Sequence, residues 1–194
     1  LIYSKAEIES GTIKKNTAIA APDENGNIRG GLGGAISAKY SAVTIKGNAE
    51  ICNNSAGYRG GAIYTEGTTN DSSLLNIEGG TISGNHVNGS GAGIFAICSS
   101  GNKNNMDVNI SGGTITNNYI GTGENVEENA IVLMGWDPNL TKNTGFADLY
   151  LSDSPVITGS VTLADDYCAT DRKNYSPLIY VGNSFNVNKP ILVS

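Results

Sequence analysis

Isoleucine and its apolar neighbours recur along this chain in short alternating runs, each closed by glycine or asparagine. In Leu75-Asn76-Ile77-Glu78 and Val108-Asn109-Ile110-Ser111 every second residue is apolar. That is the period of a strand with one face buried. Three kinds of strand repeat in a fixed order. The first follows a Gly-Gly-Ala-Ile phrase and is anchored at Ile36, Ile63, Ile94 and Ile131. The second is anchored at Ile8, Ile45, Ile77, Ile110 and Leu151, and the third at Ile13, Ile51, Ile82, Ile115 and Val156 or Ile157. First-strand anchors lie 27, 31 and 37 residues apart, the spacing of stacked repeats.

Strands this short cannot bury a core as hairpins. Stacked coil upon coil they can, so the pattern predicts an all-β, right-handed parallel β-helix with three short parallel sheets around one apolar interior. Gly79-Gly80 and Gly112-Gly113 fall where the second strand must turn sharply into the third, and glycine supplies positive φ there. Asn16, Asn54, Asn85 and Asn118 each stand three residues after a third-strand anchor. Stacked asparagines can hydrogen-bond along the axis, as in cross-β ladders, so a structural ladder is expected of them in preference to ligand contacts.

The phrase is interrupted at 18–32, 65–73, 99–105, 120–129 and 136–147. These interruptions fall at two equivalent corners, and the loops they form are expected to shape a common surface. Residues 124–134 admit a short helix, but Ala130-Ile131 falls where a first strand is due, and loop followed by strand is the preferred reading. After residue 150 the glycine phrases fade, although 149–151, 156–157, 161–163, 178–181 and 191–193 still read as strands. Residues 1–194 are therefore taken as a single β-helix domain with atypical terminal coils over 150–194, and 164–177 as a long polar loop. The start at Leu1-Ile2-Tyr3 fits a piece of a longer protein, with Leu1 and Val193 in coils that look cut.

Composition narrows the function classes. The chain has 12 basic and 18 acidic residues, a net charge of -6, and no Lys/Arg stripe, which argues against nucleic acid. No apolar run is long enough for a transmembrane helix. Cys52, Cys98 and Cys168 are too far apart for a zinc knuckle and odd in number, so one disulfide or three free thiols both fit.

The run from Ile51-Cys52-Asn53-Asn54 to Gly60-Gly61-Ala62-Ile63 resembles the paired Phe-x-x-Asn and Gly-Gly-Ala-Ile elements of the chlamydial-type polymorphic outer membrane proteins, with Ile51 where Phe is usual. Ile82–Asn85 followed by Gly91-Ala92-Gly93-Ile94 is a second, altered copy. Gly79-Gly80-Thr81-Ile82-Ser83-Gly84-Asn85 is similar to repeats of large surface proteins of Gram-positive gut bacteria. The resemblance covers about residues 1–160 and implies a β-helix of the pectate-lyase-like superfamily. It also implies an extracellular or bacterial cell-surface location and an adhesive role toward a host or matrix protein or a glycan.

The candidate binding residues are Tyr64 and Phe95, at equivalent first-strand positions, with Trp136 and Asp137 at the start of a late insertion. With Ile63 and Ile94 inward, Tyr64 and Phe95 are expected to face outward and stack, as exposed aromatics that suit a sugar or protein contact. For Trp136 the preferred reading is that its loop folds over and the ring covers the apolar base, with the binding contact as the alternative. The runner-up is a polysaccharide lyase or glycoside hydrolase, which needs paired carboxylates. Glu66, Asp71, Asp107, Asp137, Asp148, Asp165, Asp166 and Asp171 are available. No outward acids are expected to recur at one strand position in successive coils, so no catalytic residue is assigned. No cofactor is expected; calcium has only Asp23-Glu24-Asn25 or Asp165-Asp166 to hold it, without EF-hand spacing. His86, the sole histidine, is expected to be an exposed turn residue.

Overall fold

A computed structural model describes residues 1–68, 71–99, 106–123, 125–136, 145–165, 178–187 and 190–194, with the side chains of Trp136 and Asp165 outside the description. The chain winds as a right-handed parallel β-solenoid of about five turns. The second strands form a six-stranded sheet running from Lys5–Ile8 through Ala42–Ile45, Ser73–Ile77, Met106–Ile110 and Ala147–Leu151 to Ile179–Val181. The third strands form a five-stranded sheet, from Thr12–Lys14 to Val156–Ile157. The first strands run from Ile36–Lys39 through Ile63–Gly67, Ile94–Ser99 and Asn125–Trp136 to Ser160–Asp165.

Every anchor pairs as the spacing requires. Ile36, Ile63, Ile94 and Ile131 are Cα partners in succession. So are Ile8, Ile45, Ile77, Ile110 and Leu151, and Ile13, Ile51, Ile82, Ile115 and Ile157. These side chains share one buried core with Val43, Leu75, Val108, Leu133 and Leu149. A one-residue slip would turn a whole strand's apolar set to solvent, and this is what fixes the register.

The asparagine ladder is present. Asn16 Nδ2 donates to Asn54 Oδ1 at 3.0 Å, Asn54 Nδ2 to Asn85 Oδ1 at 3.0 Å, and Asn85 Nδ2 to Asn118 Oδ1 at 2.9 Å. Each oxygen also accepts a backbone N–H of the coil before it, from Asn16, Asn54 and Asn85 in turn, at 3.0–3.1 Å.

Three features go beyond the expected plan. A fourth short strand follows each ladder asparagine, at Thr17–Ala18, Ser55–Ala56, His86–Val87 and Tyr119–Thr122. The interruption over 18–32 is an antiparallel hairpin of Ala20–Pro22 with Ile28–Gly30. At the end of the fourth coil Tyr119–Thr122 folds back antiparallel on the long strand Asn125–Trp136, joining the fourth-strand and first-strand sheets. Residues 125–134 are thus strand, and the helix alternative is not adopted.

Candidate functional site

The outward side of the first sheet carries Tyr64 and Phe95, whose rings stack as expected, with centroids 5.9 Å apart and planes 8° from parallel. They are not exposed: Tyr64 is 4% and Phe95 1% accessible. With Ile97, Val132 and Met134, and with Leu32 and Ala164 packed against them, they make a second apolar cluster outside the solenoid wall. The Arg59 guanidinium lies 4.8 Å from the Phe95 centroid and 4.6 Å from that of Tyr58, within cation–π range. Trp136 ends its strand opposite Ser99; its side chain and Asp137 lie outside the described residues. Phe95→Ala is expected to destabilise the fold by about 3 kcal/mol through lost burial and a residual cavity, read as a lower urea midpoint.

Beside the aromatic stack lies a polar knot that spans three coils. Glu66 Oε2 accepts from Tyr64 Oη at 2.7 Å and pairs with Lys39 Nζ at 2.6 Å, while Oε1 accepts from Ser99 Oγ at 2.5 Å. Burial alone raises the Glu66 carboxyl, but hydrogen bonds from Lys39, Ser99 and Tyr64, with the Lys39 charge, hold it below the usual range. Burial, then the Glu66 charge, pushes the Tyr64 phenol well up. Glu66 is thus paired with groups of the protein itself, as a buried carboxylate requires. A carboxyl lowered on folding contributes stability above its unfolded pKa and loses it as pH falls through the folded value. Glu66→Gln is therefore expected to cost about 1–2 kcal/mol near neutral pH, with the gap to the parent closing in acid. A gap independent of pH in urea titrations would count against the assignment.

The second sheet presents a different face. One outward row runs Glu7, Thr44, Asn76, Asn109, Tyr150, Tyr180 along the axis. At its lower end Lys46, one residue past the sheet's Ile45, pairs with Glu7 and lies 3.9 Å from Glu9. In the middle Asn109 Nδ2 donates to Asn76 Oδ1 at 2.9 Å and Asn76 Nδ2 to Thr44 Oγ1 at 3.3 Å. At the upper end Tyr150 and Tyr180 stack at 4.6 Å and 9°, yet remain 36% and 42% accessible. A surface groove of about 320 Å³ lies along their flank, lined by Asn109, Ser111, Tyr150, Ser152, Tyr180 and Gly182 among others.

The neighbouring outward row holds Ala42, Leu74, Asp107 and Asp148 in successive coils. The expectation that no outward acids recur at one strand position is thus incorrect. Asp107 and Asp148 each stand three residues before their anchors Ile110 and Leu151, a signal present in the spacing. The two differ in access: Asp148 is 1% exposed and accepts the Leu178 N–H at 3.0 Å, whereas Asp107 is half-buried. Burial, and then the Asp148 charge, raises the Asp107 carboxyl. Burial followed by the fields of Asp107, Asp148 and Tyr180 raises the Tyr150 phenol.

The remaining candidates are structural in their contacts. His86 sits in a two-residue strand, half-buried, with Nε2 bonded to the Gly121 carbonyl, so it is not an exposed turn residue. Asp23 Oδ1 accepts the N–H groups of Asn25 and Asn27, each at 2.9 Å, and Oδ2 meets Arg29 Nε at 2.9 Å. That carboxylate shapes the hairpin turn. Asp166, Asp171 and Cys168 lie outside the described residues, as does the Asp165 side chain. Cys52 is a half-buried free thiol, and the Cys98 side chain is buried in the core.

Among the described residues no group of three or more His, Cys, Asp or Glu side chains is placed to hold a metal ion. Among them, too, no helix is long and apolar enough to cross a membrane. No family model matches the chain, and neither does any curated protein or solved structure.

Proposed function

We propose that this chain is a non-catalytic binding module of a secreted or cell-surface protein, a stiff solenoid that holds a glycan on the outward face of its second sheet. The observation that carries the reading is the exposed Tyr150–Tyr180 stack, continued down the axis by the Asn109–Asn76–Thr44 amide and hydroxyl row. Apolar ridges set beside convergent polar groups are what sugar and ligand sites are built from. The repeat phrase, with its likeness to adhesin repeats, supports the extracellular setting by analogy.

A second reading, a polysaccharide lyase or hydrolase, is favoured by the Asp107–Asp148 pair. Two carboxylates flanking a glycosidic bond can act as acid and base or nucleophile. Its weakness is access, since Asp148 is buried and bonded to the Leu178 amide. The deciding experiment incubates the protein with a panel of neutral and acidic polysaccharides, with and without calcium, and assays soluble products. Binding without product release is expected. Release of reducing or unsaturated sugars that disappears in Asp107→Asn would establish the enzyme instead.

A further inference from the structure

We infer that the glycan held by the second-sheet face is a linear, uncharged chain lying along the solenoid axis, and that this face discriminates against acidic chains; the inference rests on reading that face as the binding surface.

The groove walls repeat. Asn109-Ile110-Ser111, Tyr150-Leu151-Ser152 and Tyr180-Val181-Gly182 occupy the same corner in three successive coils, with Asn109 opposite Tyr150 and Tyr150 opposite Tyr180. Parallel strands in a sheet stand about 4.8 Å apart, so the groove offers similar groups at a constant step along the axis. A compact ligand uses one step. A polymer of similar step uses all of them, and its affinity grows with the number of units engaged. The stacked tyrosines make the apolar flank, while Asn109, Ser111 and Ser152 supply amide and hydroxyl groups that match sugar hydroxyls. A branch at the sugar facing the sheet would meet the tyrosine ridge, which favours an unbranched chain.

Charge sets the selectivity. Among the described residues no Lys or Arg lines the groove. Asp107 and Asp148 stand in the row next to Tyr150, and their fields already act on its phenol. Asp153 follows on the other side, its Oδ2 accepting from Ser152 Oγ at 3.4 Å. The half-buried Asp107 and the exposed Asp153 on either side of the groove repel an anionic polymer, and salt screens the half-buried Asp107 less. The tyrosine groove is the binding element here; the carboxylates only bias what enters it.

The test is affinity electrophoresis of the full chain in gels containing hydroxyethylcellulose, a neutral linear glucan, or polygalacturonate, an acidic linear one. Hydroxyethylcellulose is expected to retard the protein at least roughly tenfold more strongly per unit mass than polygalacturonate. Tyr180→Ser and Asn109→Ala, both at accessible or half-buried outward positions, should weaken the neutral interaction with the far-ultraviolet circular dichroism unchanged. Asp107→Asn should narrow the difference by admitting polygalacturonate. Equal or stronger retardation by polygalacturonate overturns the charge selectivity while leaving the binding face standing. Retardation by neither polymer removes both. Retardation by hydroxyethylcellulose that survives Tyr180→Ser and Asn109→Ala together places the binding elsewhere and overturns the inference.

Discussion

Asn85→Ala is expected to unfold much of the solenoid's population at moderate urea, with a loss of about 4 kcal/mol. Asn85 is fully buried. Its Nδ2 donates to the Ile51 carbonyl at 3.0 Å, the Ser83 carbonyl at 3.1 Å and Asn118 Oδ1 at 2.9 Å. Its Oδ1 accepts from the Asn54 backbone and side chain, both at 3.0 Å. Truncation strands donors and acceptors on two adjacent coils at once, and each unsatisfied buried group costs about 1–3 kcal/mol. Part of that cost is recovered where water enters the small cavity. Asn16, the exposed outer rung, is the internal comparison: Asn16→Ala should cost less than about 1 kcal/mol, because solvent replaces what is lost. Equal losses at the two rungs, measured by equilibrium unfolding, would show that the ladder is not what couples the coils.

The second large effect is steric. In Gly60-Gly61-Ala62-Ile63 the two glycines act differently. Gly60 has φ +69, a conformation that side chains resist. Gly61 is held for space: a Cβ there would strike the Ala92 carbonyl oxygen and lie 2.7 Å from the His86 carbonyl oxygen, both on the next coil. Gly61→Ala therefore forces two coils apart and weakens the Gly61 N–H bond to Gly91 O and the Ala62 N–H bond to Ala92 O, each now 3.0 Å. The expected cost is about 4 kcal/mol or more, at the upper end of what overpacking produces. Ala→Gly at Ala21, exposed in the hairpin strand, should move the urea midpoint little. A Gly61→Ala protein with the parent's midpoint would show that the coils can separate freely at this corner.

Much of the fold was legible because its determinants are local and repeated. Ile63 needs an apolar side chain, a turn glycine before it and an identical neighbour one coil away, and all three are visible along the chain. The same holds for the ladder at Asn54, Asn85 and Asn118. Two-residue strands such as Ser55–Ala56 and His86–Val87 were not legible, since one alternation is too short to show a period. The second apolar cluster was half legible. Equivalent positions placed Tyr64 over Phe95, but burial of an outward face depends on what lies across it, which strand periodicity does not encode. The candidate site was the reverse case. Asp107 and Asp148 share an offset from their anchors, so their pairing was readable; the stack of Tyr150 on Tyr180 lay hidden because the glycine phrases that set the register fade after residue 150. Separating exposed from covered aromatics required the folded chain.

The bonds between coils run along the solenoid axis, whereas the chain within each coil runs across it. This has a mechanical consequence. Tension along the axis loads the coils in series, so the weakest junction opens first and the rest stay folded. Each opened coil releases a length of chain set by its repeat, 27 residues from Ile36 to Ile63 and 37 from Ile94 to Ile131. Extended chain covers about 3.3–3.6 Å per residue, so one coil yields on the order of 100 Å of slack while its neighbours keep their shape. A tether built this way lengthens in steps under load, each step resisted by the sheet bonds between two coils together with any asparagine rung that joins them.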